Sequence, residues 1–529
     1  MDFSKRYNRE EFVKFLQNDF LPEEDFLTEA TQIGIQQETK YIKAITRLGT
    51  CHSLKLAVYE ARHTSTNDAR VGLSKEIFRF MANKRERRAL VAFVPEGNDA
   101  NYRFSLISID LSETEEGKTK RIYSNPRRYS YYLGENTAIR TPKDYLIRKK
   151  RVKDIEDLMG RFHVEQVNKT FFAEYKAQYE KFCKFLCENP EMQKSFQKFC
   201  DNSGKVIRDY VKKMLGRIVF LYFVQRKGWL NGDLFYMSHL FSSATDDIKA
   251  DFLDRVLEPM FFGLLNTDYD KRQVNALANG WDLSLIPGYE NIPYLNGGLF
   301  EQDETDKCRS VFPSDYFKEL FEFFDTYNFT VDENSPNDAD VGIDPEMLGI
   351  IFENLLEDNK DKGAFYTPKE IVSYMCRESL IAYLNTNTNI GEEKLRQFVE
   401  APEDSISDIS EDANHKLLSA LRTVRICDPA IGSGAFPMGL LNELLHCREA
   451  LEDSLGRAEL KKDIIQNNIY GVDIEKGAVD IARLRFWLSL VVDEPHPQPL
   501  PNLDYKIMCG NSLLHRFALD APFQQVFKD

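Results

Sequence analysis

Apolar positions change period along the 529-residue chain. In the first 150 residues they fall in short runs. Residues 54–60, 88–94 and 102–109 have the length and composition of strands, and residues 10–16 and 71–81 carry apolar side chains at helical spacing. The predicted order from residue 54 is strand, helix, strand, strand. From about 155 to 335 the period is helical, and residues 209–223 have a broad apolar face that stops at Gly228, a candidate C-cap glycine. Beyond 340, helix and strand alternate. Residues 344–356 predict a helix with Pro345 near its first turn. Thr367, Pro368 and Glu370 stand as N-cap, N1 and N3 of a capping box. Strands are predicted at 423–427, 466–474 and 505–509, with helices at 437–445 and 478–490, where Trp487 is a core residue. The pattern predicts an α/β multidomain chain: an α/β module at 1–150, a helical connector at 151–340 and a ligand-binding α/β part at 341–529.

Composition agrees with packed domains. Hydrophobic residues make up 43% and aromatics 12%, which excludes a disordered chain. The net charge of -15 excludes a uniformly basic nucleic-acid binder and leaves local patches open. Such patches stand at 84–88, at Arg121, at Arg127 and Arg128, and at 148–151, where phosphate contact and a solvated face both remain readings. Residues 125–129 read as a turn, 294–300 as a glycine turn, and 303–306 and 332–340 as solvated acidic loops. The nine cysteines form no CxxC pair, and Cys183 with Cys187 lacks neighbours to complete a zinc site. Thiols in a reducing cytoplasm are expected. The start is charged from Asp2 onward, and the apolar run 218–224 is too short for a membrane span, so a cytoplasmic protein without membrane contact is expected.

The chemistry concentrates at 426–436. A short strand ends in Asp428, breaks into a small-residue turn and enters a helix, an arrangement that brings backbone N–H groups to a ligand. The spacing is D-P-A-x-G-S-G-x-F, not the dinucleotide fingerprint. An acid at the strand end would repel a pyrophosphate and suits a cationic or zwitterionic ligand. The stretch resembles motif I of the adenine-N6 DNA methyltransferases, which implies S-adenosylmethionine as cofactor. Residues 363–368 resemble motif X of the same family, and residues around Asn511 resemble motif III. Asp473, 45 positions after Asp428, ends the next strand, where a carboxylate can accept both ribose hydroxyls. The resemblance implies a Rossmann-like class I methyltransferase domain. It assigns to the cofactor pocket Phe365, Tyr366, Thr367 and Pro368; Asp428, Pro429, Ala430, Gly432, Gly434 and Phe436; Asp473 and Ile474; and Asn511. The family's base-binding N-P-P-Y or D-P-P-Y is not found in the chain. The domain is therefore expected to be incomplete here, with the specificity region and the base-binding loop supplied elsewhere, by a longer chain or by a second one.

The N-terminal module has the outline of a PD-(D/E)xK nuclease core, with Glu60 and Arg62 where E-x-K is wanted. Arginine stays protonated and cannot serve as a base. The expectations are a degenerate nuclease-like fold, a Mg²⁺ nuclease with Glu60 as a metal ligand, or an unrelated α/β module. His63 reads as structural. As a whole the chain resembles the front of large type IIG-like restriction–modification methylases acting on double-stranded DNA. The alternatives are a non-catalytic DNA-binding scaffold subunit of a defence complex, and a split enzyme completed by a partner chain.

Overall fold

The computed structural model of the protein describes residues 1–34, 39–64, 70–112, 122–199, 204–295, 300–330, 338–355, 367–406, 409–451, 455–494 and 496–514. Contacts divide the chain into two compact units, Met1–Ala177 with Lys318–Asp344, and Gln178–Phe317 with Pro345–Asp529. The helical middle, read at 151–340, is divided between the units. The reason lies in one long helix of that middle, Val164–Glu188. Its first half packs Phe171 on Phe323 and Tyr327, while Phe182 in its second half packs on Phe312 and Phe317.

The first unit is built on a seven-stranded sheet in sequential order: β1 Phe26–Ile33, β2 Ile42–Cys51, β3 Leu56–His63, β4 Arg88–Pro95, β5 Asn101–Ser112, β6 Ile122–Gly134 and β7 Asp338–Asp340. β3 and β4 pair in parallel, joined by helix α2 (Arg70–Lys84); an earlier short helix, α1, spans Arg9–Phe15. Leu73, Ile77 and Met81 of α2 pack on Tyr59, Ala61, Val91 and Phe93 of one sheet face. Phe12, Phe20 and Phe162 meet Phe104 on the other. The strand, helix, strand, strand order read from residue 54 is present. The turn read at 125–129 is not: these residues lie inside β6. The register jumps from Ser108↔Arg127 to Asp110↔Ser124, so Asn125 and Pro126 together face Ile109. Proline, lacking an N–H, is tolerated in a strand at such a bulge.

In the second unit, helix α3 (Lys205–Arg226) is almost wholly buried, and Gly228 with positive φ follows its end. Arg217 of α3 reaches Asp306 through two bonds of 2.8 and 3.0 Å, with both side chains 3% exposed. The expected solvated acidic loop at 303–306 is thus anchored in the interior, since a buried guanidinium requires a carboxylate partner. Residues 296–299 and 331–337 lie outside the described residues. The last part holds a three-stranded parallel sheet in order β10–β9–β8: β8 is Ile426–Asp428, β9 is Ile469–Asp473 and β10 is Ile507–Cys509. Around it stand α4 (Glu346–Leu355), α5 (Lys369–Thr388), α6 (Glu411–Thr423), α7 (Ala435–Ala450), α8 (Arg457–Asn467) and α9 (Lys476–Asp493). Trp487 of α9 is 2% exposed and donates its indole N–H to the Pro501 carbonyl. No helix among the described residues is long and apolar enough to cross a membrane.

Candidate cofactor site

The loop between β8 and α7 is fastened to the end of the neighbouring strand. Ala430 N–H donates to Asp428 Oδ1 at 3.0 Å, closing a tight turn behind β8. Ile431 N–H donates to the Val472 carbonyl, and Gly432 N–H donates to Asp473 Oδ2 at 2.8 Å. The other oxygen of Asp473 accepts from Glu475 N–H at 2.9 Å. One carboxylate therefore fixes both its own turn and the glycine loop. Gly432 and Gly434 lie at φ +53° and +89°, a region that favours glycine. A Cβ at Gly434 would press on Ala482 at 3.2 Å, whereas one at Gly432 would meet nothing within 4 Å, so the loop is open to a ligand on the Gly432 side. Ser433 turns inward, and its carbonyl accepts from the Arg485 guanidinium of α9.

Two carboxylates face this opening. Burial pushes the Asp428 carboxyl above its ordinary range; the Ala430 amide opposes that shift and the nearby charge of Asp473 adds to it. Among the described residues neither acid makes an ion pair. Asp473 uses one acceptor position on each oxygen, which leaves capacity for further donors. A ligand carrying positive charge beside Asp428 and hydroxyl donors beside Asp473 fits this donor set.

Helix α5 starts one residue later than the capping box implies. Pro368 itself is the N-cap, at φ −55° and ψ 143°, and no side chain caps the helix. Thr367 precedes it, and Phe365 and Tyr366 lie outside the described residues. α5 packs closely on α7: a Cβ at Gly439 would come 2.8 Å from Cys376 Sγ and 2.9 Å from Val372. The Cys376 thiol also approaches the Phe436 carbonyl at 3.4 Å. One turn on, Arg377 Nε donates to Glu443 at 2.9 Å. Glu443 is 7% exposed, and its burial raises its carboxyl even against the guanidinium. Arg377→Ala leaves that carboxylate buried without its cation. Thermal unfolding is expected to show a loss of about 2 kcal/mol, below the usual cost of breaking a fully buried pair because Arg377 is 38% exposed.

The structure thus brings Asp428, Ala430, Gly432, Gly434 and Asp473 together, with Phe436 in the first turn of α7. Pro429 is exposed at the turn, and Ile474 is 67% exposed beside Asp473. Asn511 is exposed and spends its Oδ1 on the Leu513 N–H of its own turn, leaving its amide N–H group to face solvent. Sequence reasoning missed Arg485 and the Arg377–Glu443 pair. The spacing of Val372, Cys376 and Arg377 on one side of α5 carried a signal for the pair; nothing local distinguished Arg485.

The Glu60 constellation has a different character. Glu60 is fully buried. Its Oε1 accepts from Arg9 Nη2 at 2.7 Å and Arg62 Nε at 2.8 Å; its Oε2 accepts from Arg9 Nε at 2.7 Å and Tyr7 O–H at 2.9 Å. These bonds occupy the acceptor positions of an ionised carboxylate. They hold Glu60 below its ordinary pKa against the desolvation that raises it. Arg62 also pairs with Asp99 at 2.6 Å. Among the described residues no group of three or more His, Cys, Asp or Glu is placed to hold a metal ion.

Residues 405–496, which contain β8, β9 and the fastened glycine loop, match the MmeI DNA-methyltransferase domain family. Over this stretch the chain is similar to the methyltransferase domain of that family. A protein of Methanocaldococcus jannaschii that bears the name of a type II restriction enzyme and methyltransferase is 29% identical over 396 residues, 68% of this chain and 32% of that protein. DNA methyltransferase A of Bacillus subtilis is 22% identical over 211 residues, 39% of this chain and 21% of its own length. The chain therefore spans about a third or less of these relatives. A solved type IIL restriction–modification enzyme, MmeI in complex with DNA, overlaps 66% of this chain and 41% of its own, at 15% identity and a TM-score of 0.39. That overlap is too loose to carry an inference. The matched stretch holds the glycine loop together with Asp473.

Proposed function

We propose that the second unit binds S-adenosylmethionine at the Asp428–Phe436 loop and serves adenine-N6 methylation of duplex DNA in a restriction–modification or phage-defence system. The observation that carries this is the Gly432–Asp473 bond, which holds an open glycine loop beside two carboxylates that make no ion pair among the described residues. When bound, S-adenosylmethionine supplies a methyl group on a sulfonium, already a good leaving group. The chain's residues bind and orient. Asp428 offers negative charge to the cationic methionine end, Asp473 accepts from ribose hydroxyls, and the side of Gly432 that lacks a Cβ lets the ligand approach the backbone. Ile474 offers apolar contact and Asn511 an amide beside the adenine, and Phe365, Tyr366, Thr367 and Pro368 are the motif X residues of the same pocket. Positioning and desolvation carry the rate of such a transfer. Base extrusion and stacking belong to an N-P-P-Y loop, which on this reading acts together with these residues from the same polypeptide or from a second chain. The doubly wound class I domain and its DNA partner belong to the same proposal. Isothermal titration calorimetry with S-adenosylmethionine tests it, and absence of binding by the folded chain sinks it.

The raised Asp428 carboxyl adds a pH signature. Without ligand, its folded pKa lies above the unfolded one, so its contribution to stability is present at low pH and is lost as pH rises through the folded value. A cation beside it favours the ionised form and draws the pKa back down. Affinity is then expected to rise with pH through the acidic range, with proton release on binding. Calorimetry in buffers of different ionisation enthalpy measures that release, and Asp428→Asn is expected to abolish it.

A further inference from the structure

We infer that Arg485 of α9 is a positioning residue for the glycine loop: it holds from behind the backbone that the cofactor meets from the open side. This role rests on the reading of the loop as an S-adenosylmethionine site. Ser433 is buried and turns away from the opening at Gly432. Its carbonyl lies outside helix α7, whose first bond runs from Met438 N–H to the Gly434 carbonyl. A buried carbonyl needs a donor, and Arg485 Nη1 supplies one at 2.9 Å. Arg485 is itself buried. A buried guanidinium is costly, and an apolar side chain would pack there at less cost if the carbonyl required no donor. A bond from an ionised donor is also shorter and stronger than a neutral one.

The tie is one of two. Gly432 N–H, in the peptide unit shared with Ile431, is held by Asp473, and the Ser433 carbonyl, in the unit shared with Gly434, is held by Arg485. The amide between Gly432 and Ser433 is flanked by these two fixed units, so its direction follows from them. Helix α9 serves both ties. Glu475 N–H at its N-cap donates to the Asp473 carboxylate, and Ala482, one turn before Arg485, packs against Gly434, where a Cβ would meet it at 3.2 Å.

Helix α4 closes the rear from a second direction. A Cβ at Gly349 would lie 2.8 Å from Ser433 Oγ, 3.0 Å from Ser433 Cβ and 3.5 Å from Arg485 Nη1. Ser433 therefore sits in a slot between two helices, bounded by a glycine on one and a guanidinium on the other. Loss of the guanidinium frees the Ser433 carbonyl to turn, and the Gly432–Ser433 amide turns with it. Asp428 and Asp473 stay where their strands end. The ligand then has to order a loop that the wild-type chain presents already ordered, and affinity falls by that cost.

Hydrogen exchange on the ligand-free full chain, paired with calorimetry using S-adenosylmethionine, tests this. In Arg485→Met the amides of residues 430–434 are expected to exchange at least about tenfold faster, while those of β9 keep their wild-type rates. Affinity is expected to fall about tenfold or more. Arg485→Lys keeps a charged donor and is expected to recover most of both losses. Gly349→Ala disturbs the same loop from the other helix with Arg485 intact, and it too is expected to speed loop exchange and weaken binding. Wild-type loop exchange and affinity in Arg485→Met overturn the proposal. The same result in Gly349→Ala overturns it where Arg485→Met does not fold. Faster exchange spread evenly over the unit, with no rescue by lysine, also overturns it, since that is the mark of a residue that only holds the fold together. A loop that loosens in Arg485→Met, in a chain whose wild type binds no S-adenosylmethionine, supports the positioning role and overturns the cofactor reading alone.

Discussion

Asp473→Ala is expected to lower S-adenosylmethionine affinity by at least about a hundredfold, measured by calorimetry on the folded chain. Two effects act together. The ribose loses an ionised acceptor, and hydrogen bonds to charged groups contribute about 1.5–3 kcal/mol each, where 1.4 kcal/mol is tenfold in affinity. The glycine loop also loses its tie, since Gly432 N–H has Asp473 Oδ2 as its acceptor at 2.8 Å. Asp473→Asn separates the two. The amide oxygen can still accept from Gly432 or from Glu475, so the loop is expected to stay fastened while the charge is lost. An intermediate affinity for the asparagine variant therefore assigns part of the effect to loop geometry. Equal affinity in wild type and both variants contradicts the ribose role. Circular dichroism and thermal unfolding are the accompanying control, because Glu475 N–H also depends on this carboxylate.

How far the sequence foretold this site depends on how local each feature is. The strand–turn–helix at 426–436 was legible because its determinants are neighbours: an apolar strand, an acid at its end, two glycines and an apolar helix. β8, β9 and β10 accordingly fall within the stretches read as strands or at their ends. The tie between Gly432 and Asp473 crosses 41 positions, and no local pattern announces it. The same holds for the Ser433 carbonyl, whose Arg485 donor comes from another helix. Pro126 misled for a related reason. A proline among asparagine and arginines has turn chemistry, and only the cross-strand partner Ile109 shows that the chain is bulged within a strand. β1 was missed because its burial pattern is almost wholly exposed, leaving no alternation to read. The acidic loop at Asp306 was misjudged because its cation, Arg217, stands 89 positions away on a buried helix.

Glu60→Ala is expected to destabilise the first unit by about 3 kcal/mol, read as a drop in thermal stability, because it removes the shared partner of Arg9, Arg62 and Tyr7. The figure lies at the low end for a buried ion pair. Arg9 is 45% exposed and Arg62 27%, so both guanidinium groups recover solvation once the carboxylate is gone. Tyr7 fares worse: it is 5% exposed, and its hydroxyl loses its acceptor. The pH dependence follows from the lowered carboxyl of Glu60. Its stabilising contribution is present above the unfolded pKa and is lost as pH falls through the folded one, so the gap between wild type and variant should close in acid. A nuclease ligand predicts the reverse pattern. Its carboxylate would be held for a divalent ion, its removal would relieve repulsion in the metal-free protein, and stability would rise or stay level while Mg²⁺-dependent cleavage disappeared. Arg9→Ala is the discriminating companion. If Glu60 serves as a clasp for the N-terminal segment, Arg9→Ala loses stability and gains no metal affinity. If Arg9 merely fills a metal position, the variant should take up Mn²⁺, detectable by titration calorimetry, and that uptake should vanish in Arg9→Ala/Glu60→Gln. With four hydrogen bonds already on the carboxylate, the clasp is the expected outcome.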